Sequence, residues 1–251
     1  MGENIKSQYI RSIELKSEEI SSFNKYPFSI PVIKNIGNLE FHPEVTFIIG
    51  ENGSGKSTIL EAIAIAYGFN AEGGTKNFNF ASKTTHSDLH QYIRIIKGVN
   101  IAKSGFFFRA ESFYNVATNI EELDLESLGN RIIDSYGGVS LHEQSHGESF
   151  LSLISNRFTE SGIYILDEPE ASLSPFKQIN IIKKINELAK NGCQFIIATH
   201  SPIIMAYTNS IIYEINGEKI KKVDYENTQH YKVMSSFFKN KDKILNIILN
   251  N

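Results

Sequence analysis

Nine residues constrain this chain more than any other stretch: Gly50-Glu51-Asn52-Gly53-Ser54-Gly55-Lys56-Ser57-Thr58. They fit G-x-x-x-x-G-K-[ST], in which glycines let successive backbone N–H groups converge on phosphate oxygens. Such a loop needs a buried strand to deliver it and a helix whose positive N-terminal end faces the anion. Both flanks are legible. Val45-Thr46-Phe47-Ile48-Ile49 is a continuous apolar, β-branched run, expected of a strand buried on both faces. A helix is expected from about Ser57 to Tyr67, closed by Gly68. In that geometry Lys56 reaches the β- and γ-phosphates of a nucleotide, and the Ser57 hydroxyl ligates Mg²⁺.

The rest of the chain repeats the alternation. Phe106-Phe107-Phe108, Ile163-Tyr164-Ile165-Leu166 and Phe195-Ile196-Ile197-Ala198 read as further buried strands. Helices are expected over the acidic stretch 112–135, from Gly147 to Phe158, and from Ile179 to Leu188, the last closed by Asn191-Gly192. Tyr9 to Lys16 reads as an edge strand, and Pro27 to Phe41, with two prolines and Gly37, as a hairpin or meander. Residues 70–97 read as a polar loop with a short helix at Asp88 to Ile96, and Ile211 to Lys222 as a hairpin around Asn216-Gly217. Buried strands alternating with helices argue for α/β architecture, a mainly parallel sheet covered on both faces. One domain is expected over 1–251, with an antiparallel N-terminal β portion and a small helical subdomain at about 112–158.

Composition narrows the classes. The 251 residues are 41% apolar with 17 glycines, enough for a sizeable core, and disorder is excluded as the main state. A formal charge of −3, with 20 Lys and only 5 Arg, gives no global basic field and argues against base-reading of DNA. The lone Cys193 excludes a disulfide framework and multi-Cys zinc, and is expected to be a small buried apolar residue. Met1 to Lys6 lacks a signal-peptide core and a myristoylation pattern, and no apolar run approaches the roughly 18 residues of a membrane span. A cytoplasmic protein is expected. The lysine-rich stretch Lys219 to Lys243, with Phe237, Phe238, Ile244 and Leu245, reads chiefly as an amphipathic helix closing the domain; the alternative is a dock for a protein or a nucleic-acid backbone.

Asp167-Glu168 follows the Ile163–Leu166 strand, so two carboxylates arrive at the sheet's C-terminal end, where ligands bind in open α/β folds. Asp167 can hold the Mg²⁺ shell while Glu168 orients the attacking water. From here the chain resembles the ABC-type P-loop ATPases over most of its length. Leu166-Asp167-Glu168-Pro169-Glu170-Ala171-Ser172-Leu173-Ser174-Pro175 echoes the Walker B and D-loop run, and Ala198-Thr199-His200-Ser201-Pro202 looks like the switch-histidine segment. Gln144-Ser145-His146-Gly147-Glu148 stands where the signature belongs, and Arg109-Ala110-Glu111-Ser112-Phe113 in the place of the Q-loop. The spacing looks most like stand-alone ATPases of the class, similar to the heads of DNA-repair and chromosome-maintenance proteins without their coiled coil. The resemblance implies ATP and Mg²⁺ as ligands, hydrolysis with Glu168 and His200 in catalytic roles, and a metal set of Ser57, Asp167 and Glu111. It also implies an ATP-dependent head-to-tail homodimer, in which Ser145 and Gly147 meet the partner's nucleotide.

Three residues depart from the family pattern: His146 for a glycine, Glu111 for glutamine and Ser174 for aspartate. Tyr26 and Phe28 stand at a suitable distance to stack on adenine. Ser145 and Glu148 also form a capping-box pattern that would start the helix at 147. That placement weakens an overlapping zinc-protease match, His142-Glu143-Gln144-Ser145-His146, because its histidines must share a helical face. What the ATP cycle drives stays open between DNA repair or phage defence, with slow turnover, and a transporter's nucleotide-binding subunit.

Overall fold

β-Branched and aromatic residues in unbroken runs fit a pleated surface that is covered twice, and these runs form the centre of the protein. A computed structural model describes residues 8–76, 86–126 and 131–250. Its strands are β1 (Ile10–Leu15), β2 (Asn38–Glu40), β3 (Val45–Gly50), β4 (Ile93–Lys97), β5 (Ser104–Arg109), β6 (Gly162–Asp167), β7 (Gln194–Ala198), β8 (Ser210–Asn216) and β9 (Lys219–Val223). Its helices are α1 (Lys56–Tyr67), α2 (Phe113–Glu126), α3 (His146–Asn156), α4 (Pro175–Lys190), α5 (Gln229–Lys239) and α6 (Lys241–Leu249). The main sheet runs β5-β6-β7-β3-β8-β9, parallel except for β9. A smaller antiparallel sheet runs β2-β1-β4.

The two-residue period of the main strands divides the core. Phe47, Phe106, Leu166 and Ile197 pack with α2, α3 and α4 on one face. Ile48, Phe107, Ile165 and Ile196 pack with α1 on the other, where the small sheet covers α1 from outside. A helix enclosed on two sides must be apolar nearly all round, and Ile59 to Ala64 satisfies that.

One buried amide joins the sheets. Gln194 Oε1 accepts from Tyr9 N (3.0 Å) and Ile10 N (2.9 Å), while its Nε2 donates to Ile10 O (2.8 Å) and His42 O (3.0 Å). Gln194→Leu therefore removes the partner of four backbone groups. A destabilisation of roughly 3 kcal/mol or more is expected, since an unsatisfied buried group costs about 1–3 kcal/mol. Urea unfolding that shows no loss would contradict the staple.

Several local expectations change. Asp88–Tyr92 is a short 3₁₀ turn, and Ile93–Lys97 is strand β4 instead of helix, because its β-branched run completes the sheet beside β1. Within 27–41 there is a 3₁₀ turn at Ile33–Asn35 and only the three-residue β2, so the expected hairpin is reduced to one strand on β1. α4 starts four residues earlier than expected, at Pro175, with Ser174 Oγ accepting from Lys177 N. The C-terminal amphipathic pattern does not close the domain: α5 and α6 bury no residue, and Phe238 is 70% exposed. Residues 1–7, 77–85 and 127–130, where the N-terminal patterns and parts of the polar loop and acidic stretch fall, lie outside the described residues. Cys193 is buried, as expected.

Candidate nucleotide site

β3 delivers the glycine-rich loop at the C-terminal edge of the sheet, and α1 carries it away. Gly55 has φ +99°, and a Cβ there would lie 2.9 Å from Ile30 Cγ2, so no side chain fits. Gly50 is as constrained: a Cβ would lie 2.8 Å from the Ile215 carbonyl. Asn52 and Gly53 are exposed at the loop's outer bend, while Thr58 is half-buried in the first turn of α1. Ser54 Oγ is buried without a hydrogen-bond partner among the described residues.

Lys56 is only 4% exposed and donates from Nζ to the carbonyls of Gly50 and Glu51, both at 2.9 Å. Burial lowers its pKa, against the nearby carboxylates led by Glu168. Ser57 Oγ donates to Asp167 Oδ1 at 3.0 Å. Burial pushes the Asp167 carboxyl up to about 7, despite the Ser57 bond and the Arg109 charge. A buried cation folded onto its own loop, an orphaned hydroxyl and an acid short of positive charge match the donor and acceptor set of Mg-ATP. Ser57 and Asp167 would hold the metal, and Lys56 with the loop amides the phosphates.

β6 ends at Asp167, and Glu168 turns at φ +51°, a conformation that costs a non-glycine residue on the order of 1–3 kcal/mol. The turn separates the carboxylates: Asp167 faces Ser57, whereas Glu168 Oε1 lies 3.5 Å from His200 Nε2. Two backbone bonds hold that arrangement, Glu168 N to Ala198 O (3.0 Å) and His200 N to Glu170 Oε1 (2.5 Å). Burial lowers the His200 pKa, helped by Lys56 and opposed by Glu168. His200 Nε2 is buried with no hydrogen-bond partner among the described residues. Thus Lys56, Ser57, Asp167, Glu168 and His200 come together at one sheet edge.

Other candidates lie apart. Glu111 follows β5 with a 90% exposed side chain, 3.8 Å from Arg109 Nη2. Ser145 caps α3: its Oγ accepts from Glu148 N (3.4 Å) and donates to Glu148 Oε2 (2.6 Å), which also accepts from Ser145 N (3.1 Å). Those bonds hold Glu148 below the usual carboxylate range. Gly147 is buried against the Ser172 carbonyl with no room for a side chain, while Ser145 and His146 are exposed. No hydrogen bond among the described residues joins 145–148 to the phosphate loop. His142 lies in the loop before α3, its ring against Tyr114 at 4.2 Å, so it shares no helical face with His146. Tyr26 is exposed, whereas Phe28 packs edge-on against Tyr92.

Three participants escaped the sequence reading. Glu61, on buried α1, accepts from Arg109 Nη1 (2.7 Å) and Ser87 N (2.9 Å), tying β5 to the helix of the phosphate loop. Glu170 holds the His200 backbone, and its place in the Asp167–Ser174 run was a usable signal. His230, on α5, brings its ring 5.6 Å from that of His200, and no sequence motif marks it.

A family model described as ABC transporter matches residues 37–171, and one described as AAA ATPase domain matches residues 141–205. The ribose import ATP-binding protein RbsA of Bacillus cereus is 25% identical over 86% of this chain and 47% of its own length. This chain thus spans about half the length of that relative. A protein assigned as an ABC transporter ATP-binding protein in Caldanaerobacter subterraneus is 30% identical, over 72% of this chain and 79% of its own. Among solved structures, an inward-facing ABC transporter of metal-chelate type shares the fold at TM-score 0.50 and 15% identity, covering 90% of this chain and 88% of that one. With more than half of its residues matched by one family model, the chain belongs to the ABC-type P-loop ATPases.

Proposed function

We propose that residues 1–251 act as one Mg-ATP-hydrolysing domain that pairs head to tail. The observation that carries this reading is the Ser57–Asp167 contact beside the Glu168–His200 pair, at the sheet edge where β3, β6 and β7 end. Lys56 leaves the Gly50 and Glu51 carbonyls for the β- and γ-phosphate oxygens, exchanging two neutral acceptors for charged ones. Mg²⁺, when bound, neutralises the phosphate charge that builds up as the bond breaks. Glu168 accepts a proton as the water oxygen bonds to the γ-phosphorus. The bond to the β–γ bridging oxygen breaks, and its electron pair leaves on ADP. His200 donates from its imidazole to a terminal phosphate oxygen, and Glu111, exposed beyond β5, would have to swing inward to accept from metal-bound water.

The cap of α3 supports pairing. An exposed helix N-terminus with Ser145 and a buried glycine presents donors and a positive dipole end that the phosphate loop's own subunit does not bring to it. The described residues of the helical subdomain read at 112–158, with α2 and α3 as its helices, are the arm that would carry this end. Light scattering is expected to show Glu168→Gln dimeric with Mg-ATP and monomeric with ADP. Ser145→Arg should bind Mg-ATP yet stay monomeric, since the long side chain obstructs only the contact in trans. A monomeric Glu168→Gln protein at saturating Mg-ATP would defeat the pairing.

The partner is best read as a transporter's membrane component, because relatives that this chain matches are import or transporter ATP-binding proteins by name. Among the described residues no helix is long and apolar enough to cross a membrane. Copurification tests this. A permease supports it, whereas bound nucleic acid or a toxin-like effector moves the role to repair or phage defence.

A further inference from the structure

We propose that His230, supplied by α5, is a positioning residue that holds the His200 ring in its working orientation. The proposal rests on the reading above that His200 faces the terminal phosphate. The two rings lie 5.6 Å apart at 57°, close enough for His230 to limit rotation of the His200 side chain. His230 Nδ1 and His200 Nε2 are both buried atoms with no hydrogen-bond partner among the described residues. A ring used only as filler would not be expected to bury an unsatisfied nitrogen, because that desolvation is unfavourable.

The way α5 is hung supports the same role. Gln229 N donates to Glu214 Oε1 at 2.8 Å, and Glu214 lies on β8 in register with Ile49 of β3, one residue before the phosphate loop. Thr228 is buried; its Oγ1 accepts from Tyr231 N (3.2 Å) and donates to Tyr225 O (2.7 Å). Tyr225 OH in turn donates to the carbonyl of Pro202, two residues beyond His200 (2.8 Å). The first turn of α5 is therefore fastened to both sides of the site, and the otherwise unburied α5–α6 pair meets the body of the protein there. A side chain placed by second elements in this way pre-organises the group it touches.

The test is steady-state ATP turnover in a double-mutant cycle of His230→Ala and His200→Ala. His230→Ala is expected to lower kcat by roughly 5- to 20-fold, the size of one neighbour coupling, with KM for ATP unchanged. The loss should vanish in the His200→Ala background, and His230→Phe, which keeps a ring against His200, should restore most of kcat. Should the alanine chain prove unstable, His230→Gln repeats the measurement with the volume kept and the ring removed. An unchanged kcat, a change in KM alone, or an equal loss in both backgrounds overturns the proposal. So does a phenylalanine variant as slow as the alanine one. A His200→Ala protein with full turnover instead removes the phosphate-facing reading on which the proposal stands, and calorimetric ATP binding by wild-type protein separates that failure from loss of the nucleotide site.

Discussion

Lys56→Ala should lose tight Mg-ATP binding altogether, with no measurable heat in a calorimetric titration that saturates the wild type. The Lys56 ammonium is buried, held at 2.9 Å by two loop carbonyls, and sits at the start of α1 where the phosphates must enter. Truncating one member of a buried, hydrogen-bonded charge pair costs about 2–5 kcal/mol, or roughly 30- to several-thousand-fold in affinity. The backbone amides and the helix end remain, but they supply only partial charge. The carbonyls of Gly50 and Glu51 also lose their donor, so the thermal unfolding midpoint of the variant should be compared with that of the wild type in the absence of nucleotide. A folded Lys56→Ala protein with unchanged affinity would sink the phosphate-loop assignment.

Glu168→Gln separates binding from chemistry. The amide keeps the side chain's size and reach but cannot take the proton of the attacking water. Turnover should fall by on the order of 10²–10⁴, the usual contribution of a positioned base, while Mg-ATP affinity persists. The geometry makes Glu168 the better base of the two adjacent carboxylates. Asp167 is buried and engaged by Ser57, whereas Glu168 is half-exposed, beside His200, in a left-handed backbone conformation of the kind that clusters at functional sites. Full activity in this variant would transfer the role to another carboxylate, with Glu111 the first candidate, since it follows β5, the strand beside β6.

Much of this was determined by short stretches of sequence. The loop 50–58, the apolar runs that became β3, β5, β6 and β7, and the Asp167-Glu168 pair at a strand end each declare themselves within about ten residues. Their properties are local: glycine conformations, β-branched runs, and a cap such as Ser145 with Glu148. Since parallel strands end on the same edge, the order of those runs already brought Lys56, Ser57, Asp167, Glu168 and His200 together. Only the tertiary structure decided the rest. Ile93–Lys97 became a strand because β1 offered an edge to pair with, a partner some eighty residues away that no helical period can report. Glu61 and Arg109 meet because α1 lies on the sheet face that β5 shares, and Glu61 carries no motif that would announce the pairing. Glu111 and His230 show the two directions of the same limit. One holds a recognised position yet extends into solvent, and the other, unmarked in sequence, lies against the His200 ring. Periodicity and spacing encode what a segment can be, whereas side-chain contacts between distant segments depend on how the layers stack.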